Sequence, residues 1–193
     1  IAFDSEYVEF GNNLVKAKAL DDRAGCAALI ETLKHDYNVT IVAAFTVQEE
    51  IGLRGATVAA YNINPDIALV LEGTLCSDVS NVPEQSYITK MGDGPAISLM
   101  DSRTIFPKDL AKRIFDIAVK NGVGIQYRLP SAGGNDAGAI HITREGIPCA
   151  AISVPCRYIH SPSCVMSKDD FEGLKKIIKL FLEDIKEGEY IRD

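Results

Sequence analysis

This chain carries no surplus of positive charge, no C-x-x-C pair and no apolar run near the length of a membrane span. Twenty basic residues stand against 27 acidic ones, a formal charge of −7. That balance excludes a general nucleic-acid binder, which needs a basic surface to meet phosphates. Without the roughly 20 consecutive apolar residues of a spanning helix, no membrane role is expected. Cys26, Cys76, Cys149, Cys156 and Cys164 are odd in number. Their spacing argues against a disulfide framework or a cysteine zinc site, and for a reducing, cytoplasmic location. The three toward the C-terminus are expected to pack as small hydrophobes. Internal repeats, low-complexity tracts, interdomain linkers and a signal-peptide pattern are also missing.

What is present suffices for one domain with a sizeable core: 193 residues, 47% hydrophobic and 24% charged, an ordinary globular balance. Residues 6–10 and 14–19 read as short extended segments about the turn Gly11-Asn12-Asn13. A helix is predicted from Asp22 to about Lys34. Val39 to Thr46 is β-branched and almost wholly apolar, which predicts a strand buried on both faces. Gly52 to Tyr61 reads as a helix, 67–71 as a second buried strand, and 73–95 as loop and edge structure. Ala96 to Met100 and Gly124 to Arg128 read as strands on either side of a helix from Pro107 to Asn121, with Gly122 after its end. A short helix over 136–142, buried-strand material over 147–154 and an amphipathic helix over 167–183 follow. Ser167 is the expected N-cap of the last. Strands alternating with helices indicate an α/β fold, a three-layer αβα sandwich on a mixed, mostly parallel sheet.

The chemistry lies in acidic residues placed at or just beyond apolar runs, where an open α/β sheet presents side chains to its crevice. Asp21 sits in A-L-D-D-R-A-G, Glu49 and Glu50 in V-Q-E-E-I-G-L-R-G-A, Glu72 in A-L-V-L-E-G-T and His160 in C-R-Y-I-H-S-P. These are oxygen and imidazole donors suited to zinc or a similar divalent ion. On extended backbone, consecutive side chains point in opposite directions. Glu49 and Glu50 can therefore divide the work, one holding metal and the other facing its water; the plainer reading is a solvated acidic turn. Asp21-Asp22 is equally readable as a helix cap, with Asp22 the cap and Asp21 free to face the crevice. A carboxylate such as Glu72 at the end of a buried strand is costly unless paired or metal-bound. Taken alone, His160 is more often a surface or core histidine; here Ser161-Pro162 follows it as a rigid turn. His35 and His141 read as structural. Gly133-Gly134-Asn135-Asp136 divides evenly between a turn with an N-cap and a substrate-facing role.

The motifs A-L-D-D-R-A-G, Q-E-E-I-G-L-R-G-A, G-G-N-D-A-G-A-I-H and C-R-Y-I-H-S-P, in that order, resemble those of the tetrahedral aminopeptidase and glutamyl aminopeptidase family of dinuclear metallopeptidases. Some members of that family carry an endoglucanase label. The resemblance covers essentially the whole chain. It implies a zinc-peptidase-like fold and an aminopeptidase acting on peptides with two divalent ions, zinc first and cobalt or manganese as alternatives. It implies Asp21 as bridging ligand, Glu50, Glu72 and His160 as terminal ligands, Glu49 as general base, and substrate contacts from Asn135, Asp136 and Arg157. A cis Asp21–Asp22 peptide bond and self-assembly into tetrahedral dodecamers are implied as well.

One departure stands out. The family carries a further histidine in an H-x-D motif well before the bridging Asp, with a small β-barrel domain inserted between them, and neither is present. Residues 1–18 then read as the tail of that insertion plus a lead-in strand, and 19–193 as a catalytic domain lacking its N-terminal part. Such a chain is expected to bind metal weakly, at one position, and to be a poor enzyme. The competing readings are a related amidohydrolase (a carboxypeptidase or deacylase) and a non-catalytic assembly subunit. A glycosidase would need two carboxyls flanking one bond, about 5–9 Å apart, which adjacent Glu49 and Glu50 do not suit.

Overall fold

A computed structural model of the chain describes residues 3, 5–130, 133–186 and 188–190. Its centre is β6 (Cys149–Arg157), a nine-residue strand buried along all but its last position. Alternate side chains of a strand face opposite ways, and β6 uses both faces. Ala150, Ile152, Val154 and Cys156 enter one apolar cluster, Cys149 and Ala151 the other. Helices cover each face. On one side lie α1 (Leu20–Thr32), α3 (Lys108–Lys120) and α5 (Lys168–Asp184); on the other are α2 (Arg54–Ile63) and α4 (Ala137–Ile140). The result is a three-layer αβα arrangement.

The sheet is mixed. β3 (Ala68–Leu75) runs parallel to β6 through eight register pairs, from Ala68 opposite Cys149 to Leu75 opposite Cys156. β4 (Ala96–Ser98) pairs in parallel with β5 (Gln126–Arg128) and antiparallel with β6. The other end is a meander of antiparallel strands, β1 (Val8–Phe10), β2 (Leu14–Ala17) and β7 (Cys164–Ser167), the last of which joins β6. Among the described residues two of the six ladders are parallel, a smaller share than a mostly parallel sheet would have. Hairpin connections of a few residues permit only antiparallel neighbours, and β1–β2 and β6–β7 are both joined in that way.

Local chemistry accounts for most element boundaries. Ser167 caps α5, its hydroxyl accepting from the backbone N–H groups of Asp169 and Asp170. Leu174, Ile177, Ile178, Phe181 and Leu182 then fall on one buried stripe, the spacing of a helix docked on a sheet. Pro107 precedes α3, and Gly122 after it takes a left-handed φ of 64°, which glycine adopts without a steric cost. Among the described residues no helix is long and apolar enough to cross a membrane.

One strand was not expected, and one expected strand is absent among the described residues. β7 was hidden in the sequence, because Cys164-Val165-Met166 is too short to show a period and abuts the cap of α5. The second is the strand predicted over 39–46. The structure assigns no strand there, and the segment has no ladder partner among the described residues. Its inner side chains Val39 and Ile41 pack on the helix-side core, while Val42, Phe45 and Val47 are 59%, 50% and 64% exposed. Apolar composition supplies the tendency to extend, but burial on both faces also needs neighbouring strands. β3, the strand beside the site, likewise pairs only with β6 among the described residues.

Candidate metal centre and active site

Four separate parts of the chain deliver the site. Asp21 comes from the start of α1, where it and Asp22 depart from helical φ/ψ and the peptide bond between them is cis. Glu50 follows the apolar 39–47 segment. Glu72 lies on β3, and His160 in the turn between β6 and β7, at a left-handed φ of 62°. Asp22 accepts from the backbone N–H of Gly25 at 2.9 Å, so it serves as the expected cap and leaves Asp21 to the crevice.

Asp21, Glu50 and His160 converge. His160 Nε2 lies 3.4 Å from Asp21 Oδ2 and 3.3 Å from Glu50 Oε1, and one donor atom from each falls within 4.8 Å of the others. Ligands about 2.0–2.1 Å from a tetrahedral zinc ion stand roughly 3.3 Å apart. Both the spacing and the two-carboxylate, one-imidazole donor set therefore fit such an ion. The three line a cavity of about 390 Å³ that also reaches Cys164 and Pro162. Burial, and then the charge of Glu50, push the Asp21 carboxyl above its ordinary range, against His160 and the backbone N–H of Gly73, which favour its charged form. A cation would relieve that crowding.

Glu72 is outside this trio. Its Oε1 accepts from Asn135 Nδ2 at 2.8 Å and from Ser153 Oγ at 3.1 Å. Burial drives its carboxyl well above the usual carboxylate range, and those two donors only partly offset it, with Asp21 and Asp22 adding to the rise. Its neighbour Gly73 touches Asp21: a Cβ there would lie 2.9 Å from Asp21 Cβ. Glu72 and Asp21 thus occupy adjoining ground without sharing a donor cluster. Glu49 is not part of that donor cluster, although Glu50, Asp21 and His160 are its electrostatic neighbours. Burial first, then the charges of Glu50, Asp136 and Asp21, raise it to about 7, the range suited to a general base.

The three residues expected to meet substrate have other partners. Asn135 holds Glu72 and, through Oδ1, accepts from the Ala137 N–H at 2.9 Å. Asp136 accepts from Thr46 Oγ1 at 2.6 Å. Arg157 forms a two-pronged pair with the mostly buried Asp78, Nε to Oδ1 at 2.6 Å and Nη2 to Oδ2 at 2.8 Å. His141 Nδ1 bonds the Ala137 carbonyl at 2.8 Å, and His35 lies beside Tyr37 and Glu31, away from the site. Sequence reasoning missed Ser153, Thr46 and Asp78. Ser153 had left a signal: a lone hydroxyl inside the apolar run Ala150-Ala151-Ile152-Ser153-Val154 has to be satisfied by a partner once buried.

Comparison with known proteins gives the family and the fold. A family model described as M42 glutamyl aminopeptidase matches residues 1–177. The glutamyl aminopeptidase of Lactococcus lactis is 33% identical over 179 residues, 91% of this chain and 49% of that protein. An aminopeptidase from the archaeon Desulfurococcus kamchatkensis superposes with a TM-score of 0.92 at 36% identity, over 95% of this chain and 53% of that one. The TET1 peptidase of Pyrococcus horikoshii, which assembles into a tetrahedron or a large octahedral shell, gives 0.81 at 33% identity, over 95% and 54%. The chain spans about half the length of the curated relatives it matches. Matched by that family model over residues 1–177, this chain belongs to the M42 glutamyl aminopeptidase family.

Proposed function

We propose that the protein is a metal-dependent aminopeptidase, releasing N-terminal residues from peptides in the cytoplasm, and that residues 19–193 are part of its catalytic domain. One observation carries the reading. Asp21, Glu50 and His160 stand at ligand spacing, beside Glu49, which joins no ligand cluster among the described residues and whose carboxyl burial pushes up to about 7. Asp21, Glu50 and His160 would hold one divalent ion, zinc by donor type and cobalt or manganese by the same donors. Asp21 and Glu72 would supply part of a second position. A bound ion supplies Lewis-acid polarisation of the scissile carbonyl and acidifies water. Glu49 takes the proton of the attacking water and returns it to the leaving amine nitrogen. Asn135 and Ser153 hold Glu72 in place.

With only Asp21 and Glu72 at the second position, the 193-residue chain by itself binds one ion and hydrolyses poorly. Like the TET1 peptidase, the complete protein self-assembles. The test is metal content and turnover of aminoacyl-p-nitroanilides by the full-length protein. Metal-loaded protein that cleaves none of a panel of such substrates would overturn the aminopeptidase reading, and turnover unaffected by chelation would overturn the metal.

A further inference from the structure

Two of the five cysteines meet beside the candidate metal centre. Cys156 on β6 stands opposite Met166 on β7, and Cys164 lies two residues from Met166 on the same face of that strand. The two are therefore diagonal cross-strand neighbours. Both are buried, at 0% and 2% exposure, and the Cys156 thiol donates a hydrogen bond to the Cys164 sulfur. Cys76 and Cys149 spend their thiols elsewhere, on Asp78 and the Ile147 carbonyl.

The pair lies against Asp21 from two sides. The backbone N–H of Asp21 donates to the Cys164 sulfur. A Cβ on Gly73 would meet Asp21 Cβ at 2.9 Å and Cys156 Sγ at 3.3 Å, which places sulfur and aspartate on one patch. Cys164 also lines the cavity that holds Asp21, Glu50 and His160, giving a small oxidant a route to a thiol that is otherwise buried.

We propose that Cys156 and Cys164 form a reversible peroxide-oxidation site whose state sets the position of Asp21. This rests on the reading of Asp21 as a metal ligand. The Cys164 sulfur attacks one oxygen of hydrogen peroxide, the O–O bond breaks, and one water leaves behind a sulfenic acid. The Cys156 sulfur then attacks the Cys164 sulfur, its thiol proton departing with the hydroxyl as a second water. Two thiols and one peroxide thus become one disulfide and two waters: sulfur is oxidised and peroxide reduced. A disulfide bond of about 2.05 Å is far shorter than a thiol–thiol hydrogen bond. Closing it draws the Cys164 sulfur away from the Asp21 N–H, and the backbone that carries the carboxylate loses that anchor.

The test uses the full-length, zinc-loaded protein treated with hydrogen peroxide, alkylated and digested with trypsin. Cleavage after Arg144, Arg157 and Lys168 separates Cys156 from Cys164 into peptides 145–157 and 158–168. Expected is a linked pair of these peptides, two hydrogens lighter than their sum, that dithiothreitol separates. Zinc affinity should fall about tenfold or more, the scale of losing an outer-shell partner, and recover on reduction. Because Cys149 shares the first peptide, the link should persist in Cys149→Ala. It should vanish in Cys156→Ser, together with the peroxide sensitivity of zinc binding; if that variant fails to fold, the wild-type link decides alone. No linked peptide, a link through Cys149, or a link with unchanged zinc affinity would each overturn the proposal. Hydrolysis is not the readout, so failure of the aminopeptidase reading would leave the mass result intact and distinguishable.

Discussion

Replacing Asn135 with alanine should destabilise the chain by about 2–4 kcal/mol, although Asn135 is neither a proposed ligand nor the base. The side chain is 3% exposed and works at both ends. Oδ1 accepts the N–H of Ala137, itself fully buried, and Nδ2 donates to Glu72. Truncation strands a buried N–H, at about 1–3 kcal/mol, and removes a hydrogen bond to a buried carboxyl, worth about 1 kcal/mol net. At roughly 2–4 °C per kcal/mol for a chain of this size, the midpoint should drop by about 5–15 °C. Thermal and urea unfolding in chelator at neutral pH would read it. Ser153→Ala is the companion, since it removes only the 3.1 Å contact to the same oxygen of Glu72 and should cost about 1 kcal/mol. An Asn135→Ala loss below about 0.5 kcal/mol, the scale of an ordinary surface change, would refute the argument that Asn135 ties Glu72 to the start of α4.

Glu49→Gln in the full-length protein should lower turnover by about 10²–10⁴-fold while metal content by mass spectrometry stays unchanged; metal lost in step with activity would give the base role to Glu50 instead. The pH dependence has a definite sign. Glu49 is raised from 4.5 to about 7 in the folded chain, so folding favours its neutral form. That contribution is whole below about pH 4.5 and is lost as pH rises through about 7. In chelator the melting temperature should therefore decline between pH 5 and 8, and added zinc should flatten the decline; a rise with pH would contradict the burial of this carboxyl. Gly73→Ala should weaken zinc binding, since the new Cβ lies 2.9 Å from Asp21 Cβ; calorimetric titration giving wild-type affinity would show that Asp21 has room to move.

The sequence was most legible where one residue's chemistry determines the local outcome. The cap at Ser167, the stripe from Leu174 to Leu182 and the turn about Gly11-Asn12-Asn13 follow from local chemistry, and each is present. The convergence of Asp21, Glu50 and His160 could be suspected from their places after apolar runs and from family motifs, but not measured. Their 3.3–3.4 Å spacings come from the left-handed turn at His160 and the break in α1, which no periodicity reports. Non-local facts stayed hidden: that Ser153 lies opposite Glu72 in the β3–β6 register, that Asp78 claims Arg157, and that two thiols meet across β6 and β7. The expected burial of 39–46 failed for a related reason, because the neighbours of a strand are not written in the strand.

That apolar segment has a consequence for the molecule in the test tube. Residues 40–47, Thr-Ile-Val-Ala-Ala-Phe-Thr-Val, hold no charge, no proline and no glycine, the composition of segments that stack into cross-β ladders. Their backbone has no ladder partner among the described residues, and Val42, Phe45 and Val47 face outward. A backbone left open in this way is a template for another copy of itself, and native sheets guard such edges with charge, proline or cover. Here no such guard stands within the segment. Self-association through residues 40–47 is therefore expected to rise with concentration even while the fold is intact, and light scattering of the chain over a concentration series would read it.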